Sequence, residues 1–316
     1  MSTQAAIEVA DLVKRYGDRD VVDRLSFEVR HGETFAFLGP NGAGKSTTIE
    51  ILEGFRTATS GTARVLEQDP ARGNAEWRGR IGVVSQSSAD IERYSAREVL
   101  RHFASLYRNP RAVDDTIERC GIAPFASQRV GRLSGGQKRR VDVALGIIGN
   151  PEVLFLDEPT TGFDPNARRE FWGLIQQLKG EGMTMVLTTH YLDEAEQLSD
   201  RAGIIAAGKL VEIGDIATIG GPKSRTPRVR WQEQDGRWRE ETTDAPAQLV
   251  GALVERLGPE PAGLTVTRPS LEDVYLEIIG EQPAASPGTP ATTSPAAGLA
   301  TTDDAARAAA PAGGTR

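Results

Sequence analysis

The chain has 316 residues, 39% of them hydrophobic, and a formal net charge of −7. That is enough for one large α/β domain with a small appendage, and an acidic balance without a long basic block argues against nucleic acid as the main partner. Cys120 stands alone, which excludes an internal disulfide and a cysteine-based metal cluster. Short β-branched runs then alternate with helical patterns as far as about residue 215. Thr34–Gly39, "TFAFLG", reads as a buried strand that runs into a Gly-rich loop, and "STTIEILEG" beyond the loop reads as a helix. From about residue 89 to 150 the strand signal stops. Ser95 with Glu98 three residues on is a capping box, so a helix through Tyr107 is expected within a helical insertion. Val153–Pro159 and Met183–His190 are short apolar runs of the kind that buried parallel strands show. Asp164 followed by Pro165 is an N-cap before a first-turn proline, and the helix it opens stops at Gly180.

The composition changes at Gly220–Pro227. Beyond it, Arg228–Gln232 and Arg237–Glu241 suit a hairpin around Asp235-Gly236. Ala245–Gly258 and Pro269–Gly280 read as helices, with Leu264–Arg268 as a strand between them. From residue 282 onward the chain is mostly Ala, Pro, Thr and Gly and buries too little to offset its ordering entropy, so a disordered tail is expected. The expected divisions are a nucleotide-binding domain over 1–220 with the insertion at about 89–150, a small α+β unit over 221–281, and the tail over 282–316. No apolar run reaches the ~18 residues of a membrane span. The N-terminus also lacks the regions of a secretory signal. A soluble cytoplasmic chain is expected, with any membrane link made through a partner.

"GPNGAGKST" has the spacing of a phosphate loop, and it sits between an expected strand and an expected helix. Its glycines, Gly39, Gly42 and Gly44, let backbone N–H groups converge on phosphate around Pro40, Asn41 and Ala43. Lys45 brings a positive charge to the β and γ phosphates. Ser46 offers a hydroxyl to Mg²⁺, and Ser46 and Thr47 open the helix whose dipole faces the anion. Asp157 ends an apolar strand, where ligands sit in open α/β sheets, and suits Mg²⁺. Glu158 beside it suits a general base for an attacking water, although strand-end polarity alone also accounts for two acids. Ser134, Gly135, Gly136 and Gln137 form a turn at a helix start. From the residues alone, that turn is either a second anion site or only an N-cap.

Taken together, "GPNGAGKST", Gln86, "LSGGQ", "VLFLDEP", "TTGFDP" and His190, in that order, resemble the ATP-binding subunit of an ATP-binding-cassette (ABC) transporter. The resemblance runs from about Ile7 to Asp215. It implies an α/β fold: a RecA-like P-loop core with an antiparallel β subdomain and the helical insertion, followed here by the small C-terminal unit. It also implies ATP and Mg²⁺ as ligands. By resemblance, Tyr16 stacks on adenine and Gln86 senses Mg²⁺ and the attacking water. Asp164 lies in the loop that crosses a dimer, where Phe163 replaces the usual leucine, and His190 contacts the γ-phosphate. Two copies would face head to tail, each "LSGGQ" turn closing over the ATP of the other, on the cytoplasmic face of a separate integral-membrane permease. "PSLEDVYLEIIG", Pro269–Gly280, resembles the closing segment of cassettes that drive ABC-2 type exporters, including the daunorubicin-resistance ATPase group. That points to efflux of a drug, an antibiotic or a lipid-like substrate. An importer cassette shares every ATP motif and stays open, as does a soluble ABC ATPase. An adenylate-kinase-like enzyme or a GTPase would share the phosphate loop but not "LSGGQ" or His190.

Overall fold

The computed structural model describes residues 5–84, 91–221 and 223–280; Gln86 and the tail from residue 282 lie outside them. β1 (Ala5–Tyr16) and β2 (Arg19–Arg30) form an antiparallel hairpin. β3 (Thr34–Leu38) then runs to the Gly-rich loop, α1 (Lys45–Leu52) leaves it, and β4 (Ser60–Val65) returns to pair with β1. A short α2 (Ala75–Arg78) precedes β5 (Ile81–Val84), and α3 (Ala96–Ala104), α4 (Val113–Arg119) and α5 (Gly135–Ile148) follow. The chain continues through β6 (Val153–Asp157), α6 (Pro165–Gly180), β7 (Thr184–Thr189), α7 (Leu192–Leu198), β8 (Arg201–Ala206) and β9 (Lys209–Asp215). The large sheet has the order β5-β6-β7-β3-β8-β9, with parallel pairing throughout except the antiparallel β8–β9 edge.

Strand periodicity divides the core into two layers. Successive side chains of a strand point to opposite faces. Phe35 and Phe37 of β3, Val153 and Phe155 of β6 and Val186 of β7 face the β1–β2–β4 sheet. There Phe27 stacks on Phe35 at 5.8 Å and meets Phe37 edge-on at 5.0 Å. Their sequence neighbours Ala36, Leu38, Leu154, Leu156, Met185 and Leu187 face the helices. A strand buried on both faces has no polar side, which is why the central residues of these segments read as short apolar runs. β3 is held in the middle of this core, with the phosphate loop at its carboxyl end.

α5 lies unusually close to β5. A Cβ on Gly82 would come 2.1 Å from the carbonyl oxygen of Gly146, and one on Gly146 would come 2.8 Å from Val84. A glycine inside a helix costs about 1 kcal/mol of helix propensity; here it lets helix and sheet touch.

Beyond residue 223, β10 (Arg228–Gln232) pairs with β11 (Trp238–Thr242) and, past α8 (Pro246–Leu257), with β12 (Thr265–Thr267). Val229, Trp231 and Leu253 make a small core of their own. α9 (Leu271–Gly280) is different: Leu271 and Val274 enter the helical-side core of the large sheet. Ser270 caps this last helix, its Oγ accepting from Asp273 N and its own N–H donating to Asp273 Oδ2. Among the described residues, no helix is long and apolar enough to cross a membrane.

Candidate active site

The phosphate loop leaves β3 in a conformation that glycine alone takes without strain. Gly39 has φ 155°, Gly42 78° and Gly44 108°. A Cβ on Gly39 would sit 2.1 Å from Ile205 O, and one on Gly44 2.5 Å from Val21 O. The loop is thus pressed against β8 and β2 more closely than a side chain at Gly39 or Gly44 would allow. Gly208 N donates to Ala43 O at 3.0 Å and ties the loop to the β8–β9 turn. Pro40 and Asn41 are exposed at its tip, and Ser46 and Thr47 start α1 behind it. Lys45, 5% exposed, donates to Gly39 O at 2.7 Å and Pro40 O at 3.1 Å. Burial pulls its pKa below the usual lysine value, and the charges of Glu158 and Asp157 push back against that.

Strands β6 and β7 bring the acids to the same end of the sheet. Ser46 Oγ lies 3.4 Å from Asp157 Oδ1, and the Thr188 hydroxyl donates to the same oxygen. A hydroxyl and a carboxylate oxygen beside a phosphate cradle are hard-oxygen donors that suit Mg²⁺, which usually takes one or two carboxylates together with waters and phosphates. Among the described residues no group of three or more His, Cys, Asp or Glu is placed to hold a metal ion. Glu158 has φ 42°, a left-handed backbone that costs a non-glycine residue on the order of 1–3 kcal/mol. Its N–H donates to Thr188 O and Thr188 Oγ1, each at 3.1 Å, and its Oε2 accepts from Thr161 Oγ1 at 3.2 Å. His190 Nδ1 is 3.5 Å from Glu158 Oε2, and its ring leans on Tyr191.

The other expected residues lie around this centre. Tyr16 ends β1, is exposed, and accepts a hydrogen bond from Arg56 Nη1 at 2.8 Å. Asp164 caps α6, accepting from Asn166 N and Ala167 N. Ser134 and Gln137 form a reciprocal capping box at the start of α5: Gln137 N donates to Ser134 Oγ, and Ser134 N donates to Gln137 Oε1. Gly135 opens that helix, and a Cβ on Gly136 would approach Ala167 of α6 to 3.2 Å. Among the described residues no hydrogen bond links this turn to the phosphate loop.

Two residues with a part in the site were not expected from the sequence. Thr188 bridges the two acids, and its signal was a threonine inside an apolar strand. Arg139 of α5, 7% exposed, donates from Nε to Pro159 O at 2.9 Å and from Nη2 to Asp157 O at 3.0 Å. Its signal was an arginine on the helix face otherwise occupied by Val143, Gly146 and Ile147.

Similarity to known proteins follows the same lines. A family profile described as ABC transporter matches residues 22–161. The chain is 34% identical over 304 residues to daunorubicin resistance ATP-binding protein DrrA3 of Streptomyces coeruleorubidus, covering 87% of this chain and 96% of the relative. This chain belongs to the ABC transporter ATP-binding family. It is 38% identical over 304 residues to Nod factor export ATP-binding protein I of Sinorhizobium fredii, covering 89% of this chain and 88% of the relative. A dimeric bacterial ABC transporter cassette superposes with a TM-score of 0.59 at 25% identity, covering 66% of this chain and 98% of the cassette. The chain is thus an ABC ATPase that binds and hydrolyses ATP, of the exporter kind, and the importer reading is not favoured. Cassettes of this family pair with one another and with membrane permeases.

Proposed function

We propose that two copies of this chain share two ATP molecules head to tail and drive an ABC-2 type permease that exports a drug, an antibiotic or a lipid-like substrate. The observation that carries the reading is the convergence of Lys45, Ser46, Asp157, Glu158 and His190 at one end of the sheet. Lys45 and the loop N–H groups bind the β and γ phosphates. Ser46 and Asp157 hold Mg²⁺, which when bound neutralises phosphate charge; Gln86, assigned to the same ion and to the attacking water, lies outside the described residues. Glu158 takes the proton of the attacking water, and His190 orients the base and meets the γ-phosphate. Tyr16 stacks on adenine. Ser134, Gly135, Gly136 and Gln137 close over the ATP of the second copy, and Asp164 lies where the copies cross.

The permease docks at the groove lined by Phe55, Phe103, Tyr107 and Leu145, where Phe55 is 72% exposed. That puts the ATPase on the cytoplasmic face of the membrane. Closure of the pair around ATP and its release on hydrolysis then move the permease between two states.

Glu158→Gln tests the site. The variant is expected to bind ATP and Mg²⁺, to form an ATP-dependent dimer in sedimentation velocity, and to release no phosphate. Turnover by this variant at the wild-type rate would remove Glu158 as the base. A monomer at saturating ATP would remove the shared site.

A further inference from the structure

The strained turn that carries the general base is held from two sides. On one side β7 receives the Glu158 N–H through Thr188. On the other side a single guanidinium grips the carbonyls of Asp157 and Pro159, the residues that flank Glu158. That guanidinium belongs to Arg139, little more than one helical turn along α5 from Ser134. It is buried, with Asp142 Oδ2 at 3.8 Å, and burial pulls its pKa below the usual arginine value. Enclosing a guanidinium in this way is costly, and an apolar side chain of similar volume would often serve stability as well or better. What an apolar side chain cannot do is hold two backbone carbonyls in a fixed relation to a helix. The planar fork of arginine suits two acceptors at once, which a lysine ammonium on a flexible stem does not.

We propose that Arg139 is a positioning residue for hydrolysis: it ties the helix that begins at Ser134 to the carbonyls on both sides of Glu158, so the orientation of the base follows the position of that helix. This rests on the shared-site reading, in which α5 moves when the Ser134 turn meets the ATP of the second copy. Each chain then aligns its own base only when its Ser134 turn is engaged, and Arg139 links the two ATP sites through one side chain.

The test compares the full-length wild type with Arg139→Met and Arg139→Lys. Phosphate release is followed against ATP concentration, and binding of trinitrophenyl-ATP and the thermal midpoint are measured on the same samples. In Arg139→Met, kcat is expected to fall by about 100-fold, the scale of a misplaced catalytic group, with nucleotide affinity and KM near wild type. Arg139→Lys is expected to stay closer to Arg139→Met than to wild type. In Arg139→Ala, added guanidinium ion is expected to restore part of the lost turnover. Wild-type kcat in both the Met and Lys variants overturns the role of Arg139, and so does a loss of nucleotide binding that parallels the loss of turnover. A wild-type chain that neither binds nor hydrolyses ATP overturns the reading of the site itself.

Discussion

Thr188 on β7 gives its hydroxyl proton to Asp157 Oδ1 at the tip of the neighbouring strand β6. Its oxygen in turn accepts the N–H of Glu158. One small side chain therefore orients the carboxylate assigned to Mg²⁺ and pins the backbone of the residue assigned as base. Groups that orient a metal ligand commonly change metal affinity by about 10–100-fold when removed. Thr188→Val keeps the shape and removes both hydrogen bonds. Its ATPase activity is expected to need about 10-fold more Mg²⁺ for half-saturation. An unchanged Mg²⁺ titration would show that Asp157 holds its place without help.

Glu53 predicts a pH dependence. It is buried at the end of α1, and burial, with the charges of Asp157 and Glu50, pushes its carboxyl up from 4.5 to about 8. The folded state then keeps a proton that the unfolded chain has already lost. Stability from this group is full at low pH and declines as pH rises from about 4.5 through about 8. Glu53→Gln removes the decline. The variant is expected to gain on wild type by up to about 1.4 kcal/mol per pH unit across that window. Urea unfolding at a series of pH values reads this directly; parallel curves for the two proteins would refute it.

Gly82 and Gly146 predict a packing penalty. Gly82→Ala drives a methyl group into the carbonyl oxygen of Gly146, 2.1 Å away. Overpacking of this kind costs about 1–3 kcal/mol. Gly146→Ala gains about 1 kcal/mol of helix propensity. It also presses on Val84 at 2.8 Å and Leu154 at 3.1 Å. Both variants are expected to unfold at lower urea concentration than wild type, Gly82→Ala the more so. A stabilised Gly146→Ala would mean that β5 can slide away from the helix.

The small C-terminal core predicts separable stability. Trp231→Ala empties much of a cluster that otherwise rests on Val229 and Leu253, at a cost of about 3–5 kcal/mol. Calorimetry is expected to show a new low-temperature transition, while ATP affinity is unchanged because the phosphate loop sits on a different sheet. A fall in ATP affinity would mean that the two regions unfold together.

Much of this arrangement could be read from residue order, and the reasons are physical. Strands β3, β6 and β7 are buried on both faces, so Phe35–Leu38, Val153–Leu156 and Met185–Leu187 are each apolar throughout. Ser95, Asp164 and Ser270 satisfy helix N–H groups within three residues, so local spacing reveals them. Arg139 and Thr188 act on neighbours that only the folded sheet supplies, and no local spacing encodes that. Gly146 shows the opposite case. A glycine within a helix carries a propensity cost in any context, but the benefit here is contact with β5, which lies far off in sequence.

The cap at the start of α5 separates two uses of one oxygen. Ser134 Oγ receives the Gln137 N–H into a lone pair, so folding the helix leaves the hydroxyl proton unspent. That proton is the part of the side chain that can face an anion. Ser134→Asp keeps the lone pairs, and so keeps the cap, but replaces the donor with a negative charge. Such a protein is expected to pass every test of folding on its own and to fail only when a second copy presents its phosphate, so a screen that scores stability alone would miss the defect.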